Sequence, residues 1–171
     1  MNSVESNKLK RVSATLKKFA VGKYNSHYCF MVDMSLPSGK KRFFVYNLEN
    51  DSVELAGLVT HGSGCEKGPG KFHFSNQPGS NCSSVGKYKI GGSYYGKFGL
   101  AFKLHGLDLS NNNAYARSVV LHALPCVPDE EVAPFSICKS FGCCSVSPTF
   151  LIKLTAYLER SGKPVLLDII E

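Results

Sequence analysis

In the stretch "ICKSFGCCSVSPTF", Cys143 directly follows Gly142, and a second thiol, Cys144, comes next. A free thiol has a pKa of about 8.5 and is mostly protonated at neutral pH, so a nucleophilic cysteine needs help. An imidazole can take its proton, and the unpaired N–H groups of a helix start can steady the anion. The chain offers both. Ser147 and Pro148 read as the cap and first turn of a helix, with Cys143 four residues before the cap. His122 ends the aliphatic run "SVVLH", 21 residues before Cys143, a separation that allows a strand, an excursion and a return. Gly142 permits close backbone approach, and successive N–H groups there could cradle an oxyanion. Together these parts make a nucleophile, a base and an anion cradle. Each alone has a plainer reading: His122 as a satisfied core histidine, and "GCCS" as a structural turn.

Other chemistry is less well supported. His61, Cys65 and His73 are metal-ligand types, but their glycine-rich context has no standard ligand spacing. No C-x-x-C pair occurs, which argues against a zinc ribbon or a thioredoxin-type site. No metal or cofactor is therefore expected. Seven cysteines are an odd number. An oxidising compartment could close up to three pairs, and a reducing one would leave all of them free. A disulfide between the adjacent Cys143 and Cys144 would be strained.

The elements that must position these residues can be read from pattern. Val4, Leu9, Val12, Leu16, Phe19 and Ala20 fall at helical spacing, lysines fill the opposite face, and Gly22 can end the helix. The apolar face is narrow for a membrane-surface helix. Strands follow at 28–35 and 41–48, joined by a turn at Ser38 and Gly39, with a third at 53–62. Residues 62–86 read as a long glycine-, serine- and proline-rich loop, a kind often functional in a compact domain. Further strands are expected at 86–92, 98–106 and 118–124. Ser147 then caps a helix with the stripe Leu151, Leu154 and Leu158, closed by Gly162, before a last buried strand within 163–170. The expected fold class is mainly β (α+β), with a helical segment at 1–24 packed on a domain at 25–171.

The chain's 171 residues suit one domain with a real core. Its 43% hydrophobic and 19% charged content is that of an ordinary globular protein. The net charge of +7 suits an anionic partner such as an acidic wall polymer, nucleic acid or membrane surface. Paired aromatic signatures of RNA binding are not evident, so no nucleic-acid partner is expected. No apolar run is long enough to span a membrane. Residues 1–30 lack the apolar stretch of a secretory leader, which fits a cytoplasmic protein or a chain whose leader has been removed.

The motif His122, then Ser140-Phe141-Gly142-Cys143, resembles the signature of L,D-transpeptidases: a histidine followed by Ser/Thr-x-Gly-Cys. The segments "MVDMSLPSGKKRFFVYNLENDSVELAGLVTHGSG", "FSNQPGSNCSSVGKYKIGGSYYGKFGLAFKLHGLD" and "NNAYARSVVLHA" resemble the murein L,D-transpeptidase catalytic-domain-like branch of the YkuD-like families. The likeness covers roughly residues 12–170. It implies a β-sandwich with an N-terminal helix and one helix after the cysteine loop.

The resemblance also implies roles. Cys143 would be the nucleophile and His122 the base, with Gly142 and Cys143 offering N–H groups to the oxyanion. Ser140 would support the loop. Arg117 would hold a substrate carboxylate or act as a structural partner. His61 and Gly62 would line the cleft, with Ser84 and Gly86 in a turn and strand beside it, and Phe141 would take a position near the substrate. Two departures stand out: Ala123 follows the histidine where many relatives have glycine, and Cys144 stands where many have proline. The implied substrate is a peptidoglycan stem peptide, with an amine acceptor giving transpeptidation and water giving carboxypeptidase cleavage. Carbapenems often acylate such cysteines, and the usual setting is the periplasm or cell-wall space. A non-catalytic wall-binding domain of the same fold is the alternative. Papain-like and caspase-like proteases fit less well, the first by order of residues and the second by motif.

Overall fold

The computed structural model describes residues 3–68 and 71–171. Helix α1 spans Ser3–Ala20. Strands β1 (Tyr28–Asp33), β2 (Phe43–Asn47) and β3 (Ser52–Gly57) form an antiparallel meander. A 3-10 turn at Ser63–Cys65 leads into a small hairpin, β4 (Glu66–Gly68) and β5 (Lys71–Phe72). Then come β6 (Gly86–Gly96), β7 (Gly99–Gly106), β8 (Val120–Ala123), β9 (Cys144–Val146), helix α2 (Pro148–Glu159) and β10 (Leu166–Ile170). Eight strands make one sheet in the order β3-β2-β1-β10-β6-β7-β8-β9. The mainly β architecture with one early and one late helix agrees with the sequence expectation.

The sequence explains why this sheet has two cores. Every residue of β1, "YCFMVD", is buried. Successive side chains of a strand point to opposite faces. Phe30 and Val32 therefore join one cluster with Phe43, Tyr88, Leu104, Leu121 and the Phe150, Leu151 and Leu154 face of α2. Cys29 and Met31 join the other, with Phe44, Tyr46, Leu166 and the Leu9–Leu16–Ala20 stripe of α1. The lysine face of α1 is also tied down: Lys8 pairs with Asp33 at 2.8 Å and Lys17 with Asp51 at 2.7 Å. Val4 and Phe19, read as part of the apolar face, are instead exposed.

The two end strands of the sheet are brought together by the chain beyond β3. The Thr60 N–H donates to Ser145 O at 2.9 Å, the Ser140 N–H to His61 O at 3.0 Å and the Ser63 N–H to Ser140 O at 2.8 Å. This corrects the expected strand at 53–62, whose regular part stops at Gly57. The buried Arg42 side chain donates to Val59 O through Nε (3.1 Å) and Nη2 (2.9 Å), so that carbonyl cannot serve a ladder. The expected loop at 62–86 contains β4 and β5; its Pro69 and Gly70 lie outside the described residues. Helix α2 ends at Glu159, with Arg160 as its cap, before Gly162 is reached. Its start is as expected: Ser147 Oγ accepts from the Phe150 N–H at 3.0 Å.

Candidate active site

Strands β8 and β9 run parallel, with Leu121 opposite Cys144 and His122 opposite Ser145. Leu121 and Cys144 face the core. By the two-residue alternation, His122 and Ser145 share the other face, and Cys143 lies in the bend that enters β9. Cys143 is half-buried, while Cys144 is fully closed off and burial pushes its thiol up to about 12. That difference separates the two neighbouring thiols on a ground independent of the glycine before Cys143.

His122 is held on both ring nitrogens. Nδ1 lies 2.9 Å from Ala123 O and Nε2 2.9 Å from Ser145 Oγ. A carbonyl only accepts, so Nδ1 carries the proton and Nε2 accepts from the Ser145 hydroxyl. Phe98, from the β6–β7 hairpin, stacks on the ring at 4.8 Å. Burial lowers the imidazole pKa, against the upward pull of the Ala123 carbonyl. Neither Ser145 nor Phe98 was singled out from sequence. The spacing Cys143-x-Ser145 carried the first signal, since residues two apart on a strand share a face; nothing local carried the second.

The Cys143 sulfur points to Ser118 O at 3.7 Å, and among the described contacts no hydrogen bond joins it to His122. Burial raises its pKa, while the Val120 backbone N–H and the Arg117 charge oppose that rise. The thiol thus sits in the turn entering β9, against the chain that leads into β8, without a bond to the imidazole on β8.

The turn before Cys143 rests on Gly142 and Ser140. Gly142 has φ +110°, and a Cβ there would lie 2.7 Å from Cys82 O. Its N–H donates to Ser140 Oγ at 3.2 Å, and the Ser140 hydroxyl donates to Cys143 O at 2.7 Å. The expected oxyanion role of Gly142 is corrected here: its amide is turned into the loop, because the serine hydroxyl takes it. A disulfide joins Cys126 to Cys138, two residues before Ser140, and fastens the same loop.

Arg117 braces that turn from below. Nη2 donates to Cys82 O at 2.6 Å and to Ser80 Oγ at 3.3 Å, and Nη1 donates to Ser75 O at 3.0 Å. Of its two expected roles, this geometry is that of a structural strut. Three other sequence assignments are not at an open face. His61 is buried between Arg42 Nη2, 3.1 Å from Nδ1, and Glu66 Oε1, 3.1 Å from Nε2. Gly62 packs against the 81–83 segment, where a Cβ would meet Asn81 O at 2.2 Å. Ser84 is buried with its Oγ 2.6 Å from the Tyr88 hydroxyl. These corrections share one cause: the 62–86 segment folds under the cysteine turn as its support. Phe141, in contrast, is 76% exposed beside Gly142 and is free to meet a ligand.

A family model for the L,D-transpeptidase catalytic domain matches residues 1–165. The chain belongs to that family. Among solved structures, the helical cell shape determining protein Pgp2 (K307A mutant) from Campylobacter jejuni is similar at 14% identity and a TM-score of 0.53, over 94% of this chain and 55% of that one. An L,D-transpeptidase from Mycobacterium smegmatis aligns at 11% identity and a TM-score of 0.49, over 85% of this chain and 59% of that one. Bdellovibrio bacteriovorus Bd1075 aligns at 18% identity and a TM-score of 0.49, over 84% and 48%. This L,D-transpeptidase-family chain thus spans about half the length of the solved structures it matches. None of the curated proteins compared by sequence matches it.

Proposed function

We propose that this chain is a cysteine acyltransferase acting on peptidoglycan stem peptides, with Cys143 as nucleophile and His122 as base. The observation that supports the reading is the pairing of β8 with β9, since the half-buried Cys143 lies in the turn that enters β9 and His122 lies on β8. To act, His122 releases its Ser145 partner and turns to the thiol. Nε2 takes the Cys143 proton, and the thiolate attacks the carbonyl of the third stem residue. The Cys143 N–H faces the developing oxyanion. The carbon–nitrogen bond breaks, the imidazolium returns its proton to the leaving D-alanine amine, and a thioester remains. An acceptor amine then gives a cross-link, or water gives carboxypeptidase cleavage. The setting this chemistry implies is the periplasm or wall space, where the positive surface would meet an anionic polymer.

A second reading is a wall-binding domain that keeps the fold without turnover. It is favoured by the engagement of His122 with Ser145 and by the burial that keeps Cys143 protonated. Intact-mass analysis after carbapenem exposure, alongside stem-peptide turnover, separates the two. One adduct is expected, lost in Cys143→Ala, slowed in His122→Ala and kept in Cys144→Ala. An adduct lost only in Cys144→Ala would refute the assigned nucleophile. No adduct and no turnover, with wall binding intact, would favour the second reading.

A further inference from the structure

Cys65 and Cys82 stand 17 residues apart in sequence and are both closed to solvent. Both cysteines touch His73, Cys65 through its carbonyl and Cys82 through its sulfur. The backbone around them is tightly interlocked. Cys65 Sγ accepts from the Ser83 N–H at 3.1 Å, the Gly64 N–H donates to Asn81 O at 3.1 Å, and the Gly62 N–H donates to Ser83 Oγ at 3.0 Å. A Cβ on Gly64 would sit 1.9 Å from Ser80 O, so the two segments touch without room for a side chain between them. His73 completes the group. Its Nδ1 lies 3.0 Å from Cys65 O and therefore carries the ring proton, which leaves Nε2, 3.5 Å from Cys82 Sγ, as the acceptor. Two buried thiols gathered around one imidazole, with the ring's acceptor nitrogen against one of them, are the parts of a dithiol that can be oxidised. The chain already closes one disulfide, Cys126–Cys138, beside the cysteine loop.

We propose that Cys65 and Cys82 form a redox-active pair that closes to a second disulfide, tying the 63–65 turn to the segment beneath Gly142. The Cys82 thiol passes its proton to His73 Nε2, and its sulfur attacks one sulfur of a small-molecule disulfide such as oxidised glutathione. A mixed disulfide forms and one glutathione thiolate leaves. Cys65, losing its proton, attacks Cys82 Sγ and expels the second glutathione. Two protein thiols are oxidised, and one oxidant disulfide is reduced to two thiols. Because both sulfurs are buried, closure is slow in the folded protein and fast while the 73–84 segment is still seating. The closed pair bears on the cysteine turn directly: Cys82 O accepts from Arg117 and lies against Gly142.

The test uses the full chain, reduced, unfolded and refolded in a glutathione redox buffer, then alkylated under denaturing conditions. Mass analysis should find three labelled thiols, Cys29, Cys143 and Cys144, and a non-reduced peptide linking Cys65 to Cys82. Five labelled thiols, with only Cys126–Cys138 closed, would overturn the proposal. So would a bridge from Cys65 or Cys82 to any other cysteine. In Cys82→Ser, four thiols should label, Cys65 among them; a Cys65 still hidden in a disulfide would refute the pairing. His73→Gln should slow closure and leave the final thiol count unchanged, and an unchanged rate would remove His73 from the step.

Discussion

Gly142→Ala is the sharpest probe of how Cys143 is presented. At φ +110° glycine meets no steric penalty, whereas an L side chain there costs about 1–3 kcal/mol. The new Cβ would also lie 2.7 Å from Cys82 O and 3.3 Å from Arg117 Nη2. Neither neighbour yields easily, because Arg117 Nη2 donates to that same carbonyl at 2.6 Å. Overpacking of this kind adds roughly 1–3 kcal/mol. The sum is about 2–6 kcal/mol, and at roughly 2–4 °C per kcal/mol for a chain of this size the melting midpoint should fall by about 4–24 °C. Circular dichroism melts of Gly142→Ala and Gly92→Ala, run together, measure this. Gly92 is the matched control, since a Cβ there meets nothing within 4 Å. The variant should also label differently at Cys143, because relief of the clash moves the turn that carries it. If Gly142→Ala melts with the control and its Cys143 labels at the wild-type rate, the reasoning about this turn is wrong.

Three further outcomes follow from the same contacts. Burial, with Asp108 adding and Lys87 opposing, raises the Asp168 carboxyl to about 6. The unfolded group titrates near about 3.9, so the native state holds its proton longer and loses stability as pH climbs from about 4 to about 6. Asp168→Asn should therefore raise the urea midpoint at pH ~7 by the equivalent of up to about 3 kcal/mol, yet do little near pH ~3.5; an equal gain at both values would sink the assignment. Iodoacetamide labelling of Cys143 should keep rising roughly tenfold per pH unit through neutrality, because burial holds the thiol up; a plateau below neutrality would reveal an ion pair with His122 instead. Arg42→Met should cost about 3–5 kcal/mol in urea unfolding, since Leu36 O, Val59 O and His61 Nδ1 lose a buried donor. A loss under about 1 kcal/mol would mean that water replaces the guanidinium.

Sequence reading went furthest where local chemistry sets the structure. Ser147 and Pro148 fixed the start of α2 because a cap and a preset φ act within one turn. The β1–β2–β3 meander was legible because apolar runs alternate with tight turns. His122 and Cys143 stood out by type and spacing, and the structure has one on β8 and the other in the turn entering β9, the strand paired with it. What sequence could not show depends on distant partners. Arg117 looked able to receive a carboxylate until the carbonyls of Ser75 and Cys82 were seen to occupy it. His61 looked like a cleft residue until Arg42 and Glu66 enclosed it. The Cys126–Cys138 bridge could not be chosen among the pairings of seven cysteines, and the seat of β10 between β1 and β6 left no mark in "LLDII" itself.

That seat governs the order in which the molecule can be assembled. The β1–β2–β3 and β6–β7–β8 hairpin sets are each built from neighbours in sequence, and in the middle of the described sheet β10 joins them, parallel to β1 and antiparallel to β6. A nascent chain still short of Leu166 can hold two separate antiparallel patches, each with a row of unpaired amides and carbonyls on its inner strand. The continuous sheet, and with it the shared wall behind β8 and β9, forms only when the last strand arrives to bridge them. Assembly of the continuous sheet thus waits for Leu166–Ile170, and the half-made intermediate carries two exposed strand edges that a chaperone would have reason to cover.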